Sequence, residues 1–366
     1  MANKPRITLG LPDHPRCRAM TDGKVGVEGY ELDIDPNFVS SGERHYKYLH
    51  GQWDVGECSA ASLLRAIEKG QELLAIPVFF ERGPRQRNIY YCEGKLKQPS
   101  ELKGKKFGCF RYGATAVVWA RGYLLDAHDI KTTDMQWFVS GREVFIGHEL
   151  PVKVERINPP PPFGQEKLQL SKMLSDGALH GAVVPGDSGY LGLFGGGETP
   201  PMMAAYPGVK PLFEDNEEII RYTQQTGINP IMHVLSIRRE IVDRYPDFPG
   251  KLTRAFMEAR DTGAEYMDAK EIAGYAKERD VLGEDPYAYV MGGNEKRSLA
   301  ALNRYQIRAG ADENHVAHGR YFCRPCLIEC PDNNEVATNC HCVLFGSHRV
   351  ASDNVGSKSG DPRRVR

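Results

Sequence analysis

Histidines and arginines set far apart along the chain are the residues best suited to chemistry. His233 stands in TGINPIMHVLSIRR, residues 226–239, where Gly227, Asn229 and Pro230 punctuate the backbone before Val234, Leu235 and Ile237 supply strand-prone bulk. An imidazole at such a turn-to-strand junction titrates near neutral pH and can give or take a proton. No acid adjoins it in sequence, so a purely structural histidine fits the same pattern. His14, Arg16 and Arg18 crowd the loop LPDHPRCRAM behind the first strand-like run. Guanidinium groups bind carboxylates through paired N–H donors, and loops beyond strand ends are favoured ligand positions in α/β folds. A solvated loop carrying surface charges is the competing reading. Arg85 and Arg87, in FFERGPRQRNIYY, also suit an anionic substrate, whereas Arg82 reads as part of a solvated crossover.

Two helix starts complete the set. In RYGATAVVWARG, Arg111 leads into Gly113, Ala114 and Thr115. The N–H groups of a helix start there, with Thr115 as cap, would cradle an anion. Ser59, followed by Ser62 in ECSAASLL, suits an N-cap that could also donate to a bound carboxylate. Trp119 fits a core position better than a stacking platform. The chain has no G-x-G-x-x-G after a strand, no phosphate-loop lysine motif and no G-x-S-x-G elbow, which disfavours nucleotide enzymes and serine hydrolases.

These residues need a scaffold of about two domains, on the length of 366 residues. A net charge of −1 gives no global reason to expect nucleic acid or an anionic membrane as partner. No apolar run reaches membrane-span length, and MANKPRITLG enters a strand with no hydrophobic signal core, so a cytoplasmic location is expected. Of nine cysteines, Cys17, Cys58, Cys92 and Cys109 read as reduced, packed thiols. Cys323, Cys326, Cys330, Cys340 and Cys342 crowd a C-terminal tail rich in Gly, Asn, Asp and Ser, for which disorder is expected. Adjacent ligands such as Cys340-His341-Cys342 rarely reach one ion together, and no metal site is expected.

Strand patterns fall at residues 6–10, 30–34, 53–58, 73–80, 89–92, 102–107 and 182–185. Helical patterns fall at 43–50, 59–69, 115–127, 168–174, 217–225, within 244–268 and at 297–308. Alternation of this kind argues for parallel α/β sheets, and the helix-rich stretch after the second strand set implies that the chain returns to finish its first lobe.

The ordered motifs DHPRCRAMTDGKVGVEGYEL, WDVGECSAASLLRA, LLAIPVFFERGPRQRNIYY, LKGKKFGCFRYGATAVVWARGYL, TGINPIMHVLSIRREIVDRYP and DPYAYVMGGNEKRSLAALNRY span roughly residues 5–308. On these motifs the chain resembles the 4,5-dihydroxyphthalate decarboxylase family, whose members look like type II periplasmic substrate-binding proteins. It departs from that pattern at Pro15 and Cys17, at FRYG before Thr115, and in its Cys-rich ending. The resemblance implies a two-lobed α/β fold with a cleft between the lobes. Residues 1–104 and 216–310 would form lobe one, 105–215 lobe two, and 311–366 an irregular tail. It also implies decarboxylation of a hydroxylated aromatic dicarboxylic acid with no cofactor. Arg16, Arg18 and Arg85 would clamp a carboxylate with help from Ser59 and the Thr115 helix start, Arg87 and Arg111 would lie near, and His233 or His14 would be the acid. The expected partner is a small aromatic acid, and a homo-oligomer is compatible. A binding protein for such an acid, and a related lyase or isomerase, are the alternatives.

Overall fold

The computed structural model describes residues 4–37, 39–141, 152–161, 165–184 and 205–307. The strands are β1 Arg6–Gly10, β2 Glu31–Ile34, β3 Val55–Ser59, β4 Leu73–Arg82, β5 Ile89–Cys92, β6 Lys106–Cys109, β7 Gln136–Val139, β8 Val154–Arg156, β9 Gly181–Val183, β10 Val209–Pro211 and β11 Ile231–Arg238. They form a five-stranded sheet in the order β2-β1-β3-β11-β4 and a six-stranded sheet in the order β10-β5-β9-β6-β7-β8. This is the expected α/β architecture, built on two sheets. The sheets are mixed, however, where strand–helix alternation predicted parallel ones. β11 returns from the second sheet and enters between β3 and β4, antiparallel to both. β5 pairs antiparallel with β9 and β10, and so lies in the second sheet although a division at residue 104 leaves it with the first.

The elements that position the site carry clear signals. β3 is buried at every residue, as a central strand covered on both faces must be. Helix α1, Pro15–Thr21, opens with proline, which lacks the N–H that a first helical residue leaves unpaired anyway. Helix α2, Ser41–Leu49, is capped by the Ser40 hydroxyl. Helices α3, Ala60–Glu68, and α4, Thr115–His128, meet at their first turns, where the Ala61 N–H donates to Thr115 Oγ1. Among strands and α-helices, those with no expected counterpart are α1, which forms where the sequence reads as a loop, the short helix Arg239–Arg244, the strands β7, β8 and β10, and the helix Ala269–Leu282. The strands are too short for a period, and the last helix buries only Glu278, so it carries no apolar stripe.

α4 joins the cores of the two lobes. Ala116, Val118 and Trp119 pack with α3 and β11, while Val117, Ala120, Tyr123 and Leu124 face the core of the second sheet. Trp119 is a core residue, as expected, and its Nε1–H donates to the Ile231 carbonyl at 3.0 Å. Gly122 lets the helix Gly293–Ile307 approach, since a Cβ there would lie 2.2 Å from the Tyr305 ring. Arg82 is no solvated crossover residue. It is fully buried and binds Glu295 at 2.5 Å and the Pro286 carbonyl at 2.8 Å, which neutralises the charge inside the fold. Cys17, Cys58, Cys92 and Cys109 are free thiols, all but Cys92 buried. The tail cysteines lie outside the described residues, among which no helix is long and apolar enough to cross a membrane.

Candidate active site

Three adjacent strands assemble the polar cluster. In register, His233 on β11 faces Ser59 on β3 and Glu81 on β4. Glu57 lies on the same face of β3 as Ser59, because strand side chains alternate, and diagonal neighbours across a sheet can touch. Pro77 offers β4 no N–H for the ladder, and the pairing slips between Leu235 with Ile76 and Val234 with Phe79. Two more slips flank His233. Such bulges bend a strand and re-aim its side chains. Here His233 Nδ1 ends 2.7 Å from Glu57 Oε1 and 3.3 Å from Glu81 Oε2.

Burial alone would lower the pKa of His233, but the Glu57 and Glu81 carboxylates outweigh it and the net shift is upward. Burial alone would likewise raise Glu57. The Arg44 guanidinium, donating from Nε at 2.5 Å, and His233 instead hold its carboxyl well below the usual range. His45, on α2, lies edge-on to His233 with ring centroids 4.6 Å apart. Burial first, and the His233 charge second, push it down to about 3, so it is a neutral base. With Nδ1 donating to Glu57, Nε2 is the His233 nitrogen left to meet a substrate; this proton assignment follows from the hydrogen-bond geometry.

His14 caps α1, its Nδ1 accepting from the Arg16 backbone N–H at 3.0 Å, while Arg16 Nη2 lies 3.1 Å from Nε2. A second ring proton would set donor against donor at both nitrogens. Burial and the Arg16 charge hold its pKa well below the ordinary value, leaving a neutral ring that is a poor acid. Arg16 is buried, stacked 3.5 Å from the Tyr287 ring centroid, and reaches the Phe80 carbonyl at 3.3 Å. Among the described residues no carboxylate pairs with it. Arg85 is buried and binds Glu81, which links it to His233, and it also donates to the Gly83 and Pro84 carbonyls at 3.3 Å.

The other expected residues are arranged differently. Arg18 turns outward to Asp13 at 2.5 Å, with both side chains more than 40 % exposed, and does not join the cluster. Arg87 engages Asn216 at the start of the helix Asn216–Thr226. The Arg111 guanidinium packs against Gly42 in the first turn of α2, from the opposite lobe. Ser59 precedes α3 but does not cap it. Its hydroxyl meets Thr115 Oγ1 at 2.6 Å, and Thr115 accepts from the Ala61 N–H at 3.1 Å, so the cap comes from α4. Thr115 in turn does not cap α4, where Ala114 holds that position. Each hydroxyl thus serves the contact between lobes.

Sequence reading did not find Glu57, Glu81, Arg44 or His45. Glu57 did leave a signal, as an acid inside the otherwise uncharged strand VGECS. A charge there must be paired, because an unpaired buried carboxylate is costly. The assembled cluster can store a proton on His233, hold its orientation through Glu57, and offer Arg16 and Arg85 to carboxylates. His45, Glu57 and His233 also present ligand atoms within 4.8 Å of one another, close enough to share a cation.

Comparison with known proteins is consistent with this chemistry. The chain is 27 % identical over 309 residues to 4,5-dihydroxyphthalate decarboxylase of Comamonas testosteroni, covering 78 % of this chain and 87 % of the relative. It is 30 % identical over 193 residues to 4,5-dihydroxyphthalate decarboxylase of Pseudomonas putida, covering 50 % of this chain and 71 % of the relative. No family model matches. Among solved structures, a protein of Archaeoglobus fulgidus aligns at 16 % identity and a TM-score of 0.49, covering 82 % of this chain and 96 % of its own. The periplasmic aliphatic sulphonate binding protein of Escherichia coli aligns at 13 % identity and a TM-score of 0.45, covering 84 % and 79 %.

Proposed function

The chain belongs to the 4,5-dihydroxyphthalate decarboxylase family, and from that premise we propose that it is a carboxy-lyase converting 4,5-dihydroxyphthalate, or a close analogue, to protocatechuate and CO2. The observation that carries the reading is His233 held between Glu57 and Glu81, a half-buried imidazole whose pKa the two carboxylates raise.

In 4,5-dihydroxyphthalate each carboxylate lies para to a hydroxyl. Electrons pushed from that hydroxyl let the carboxylate-bearing carbon take a proton. The carbon–carboxylate bond then breaks, its electron pair restores the aromatic ring, and CO2 leaves. One proton is consumed and one carboxylate lost, so charge balances. His233 Nε2–H is the donor in this reading, and Glu57 keeps Nδ1 protonated through the transfer, so the ring returns to a neutral, correctly oriented tautomer. His14, being neutral, is not assigned the step. Arg16 suits the carboxylate clamp because it is buried without a carboxylate of its own, and Arg85 can exchange Glu81 for a substrate carboxylate. Arg18 and Arg87 have no place in this clamp, being engaged with Asp13 and Asn216.

Incubation with 4,5-dihydroxyphthalate, following CO2 release and protocatechuate, tests the reading. Stoichiometric formation of both supports it. Saturable binding without product would favour a binding protein for aromatic acids, and neither binding nor turnover would exclude this substrate.

A further inference from the structure

We propose that His45, Glu57 and His233 form a binding site for one divalent transition-metal ion, of the kind that accepts two imidazoles and a carboxylate. Three strands of observation support it. First, the ligand atoms already converge from three elements, α2, β3 and β11, and all lie within 4.8 Å of one another. Second, His45 is 3 % exposed, yet its Nε2 makes no hydrogen bond among the described residues and lies 3.8 Å from Glu57 Oε2. A buried ring nitrogen without a hydrogen-bond partner is an exception among buried polar groups, and in the tautomer protonated at Nδ1 it presents a lone pair. Third, carboxylate oxygens face the His233 ring nitrogen, although Arg44 and Arg85 balance the charges of Glu57 and Glu81. Arg44 balances Glu57 through Oε2 and leaves Oε1 towards His233, and Glu81 Oε2 adds a second carboxylate oxygen 3.3 Å from the same ring nitrogen.

The fit needs the three ligand atoms to draw together around the ion. Ions such as Zn²⁺ bind nitrogen and oxygen at about 2.0–2.2 Å, so ligand atoms around one ion stand roughly 3.0–3.5 Å apart. His233 Nδ1 and Glu57 Oε1, now 2.7 Å apart, must open by a few tenths of an ångström, and His45, whose Nε2 lies 3.8 Å from Glu57 Oε2, must turn in towards them within a group of ligand atoms that spans up to 4.8 Å. The ion replaces the proton shared by His233 and Glu57. Two imidazoles and one carboxylate leave a coordination position open, and the donor set suits Zn²⁺, Co²⁺ or Fe²⁺ rather than Mg²⁺ or Ca²⁺, which prefer all-oxygen shells.

The catalytic consequence rests on the reading of His233 as the acid. An imidazole whose Nδ1 lone pair is given to a metal keeps only the tightly held Nε2 proton. It cannot act as an acid at neutral pH. The ion and the transferable proton are therefore mutually exclusive, and occupation inhibits.

Titration of the full, substrate-free chain with Co²⁺, followed by visible absorption, tests the site whether or not the protein decarboxylates anything. One Co²⁺ per chain is expected at this site, with nitrogen- and oxygen-ligand bands and no thiolate-to-cobalt charge transfer. The latter feature separates the site from the tail cysteines. His45→Gln and His45→Ala should each weaken that uptake at least tenfold, and whichever variant keeps the wild-type circular dichroism spectrum decides. Absence of such bands, or the same bands at undiminished affinity in the folded variant, overturns the proposal. If the chain turns over, Zn²⁺ should inhibit in proportion to occupancy; binding without inhibition would overturn only the exclusion of the proton.

Discussion

At the scale of single residues, the cluster turns on how His233 is held. A histidine between two carboxylates keeps its proton past its ordinary value, while a buried histidine beside an arginine loses it, and His233 and His14 are these two cases. His233→Gln should lower kcat by about 10²–10⁴-fold with a much smaller change in KM, because general acid catalysis is worth about that much and the glutamine keeps the wall of the cleft. Full turnover in that variant would remove His233 from the role of acid. In the proposed reaction Glu57 acts through His233 as a positioning residue. In Glu57→Gln the ring loses the larger of its two upward charge effects, so the pH at which kcat falls on the alkaline side should move down. A uniform drop with no shift in the profile would assign Glu57 a structural role alone.

At the scale of elements, α4 carries the contact between lobes, and two substitutions probe its faces. In an exposed helix Gly→Ala stabilises by roughly 1 kcal/mol. At Gly122 the sign should reverse. The new Cβ would stand 2.2 Å from the Tyr305 ring, which is flanked by Trp119 and cannot simply swing aside. Overpacking of this sort costs about 1–3 kcal/mol, read as a lower thermal midpoint. Gly122→Ala with a raised midpoint would mean that the helix Gly293–Ile307 does not pack as described. Thr115→Val keeps the volume but removes the oxygen that accepts from the Ala61 N–H and meets Ser59. A buried donor left unsatisfied costs about 1–3 kcal/mol, so chemical denaturation should show a lower midpoint. An unchanged midpoint would place that contact outside the folded state's stability.

At the scale of the whole molecule, the buried histidines make stability depend on pH in opposite directions. His45 and His14 have lowered pKa values, so the unfolded chain takes up protons that the folded chain refuses, and stability falls as pH drops below about 6.5. His233 has a raised pKa; its contribution is present below the unfolded value and is lost as pH rises through the folded one. The Glu57 contribution is present above the ordinary carboxylate value and is lost only in stronger acid. A stability optimum near neutrality follows. Denaturation midpoints across pH should show His45→Gln flattening the acid limb between pH 6.5 and about 3. An acid limb as steep as that of the parent chain would show that His45 is not the buried neutral base described.

The sequence by itself determined most of the longer local elements and the family. Gly, Asn and Pro before Val234, the apolar run ending near Phe80 and the helix at Thr115 are short-range signals, carried by backbone preferences and by the period of apolar residues. The motifs around Trp119 and His233 carried the likeness to decarboxylases. Tertiary structure alone decided which charges meet. Glu57 and Glu81 stand far from His233 in the chain and become its neighbours only because β11 returns to lie between β3 and β4. The same strand order turned Arg82 from a surface residue into a buried tether to Glu295. Electrostatic energy depends on distance in space and on burial, neither of which a one-dimensional pattern of residues records, and so a candidate acid could be nominated from sequence while the groups around it could not.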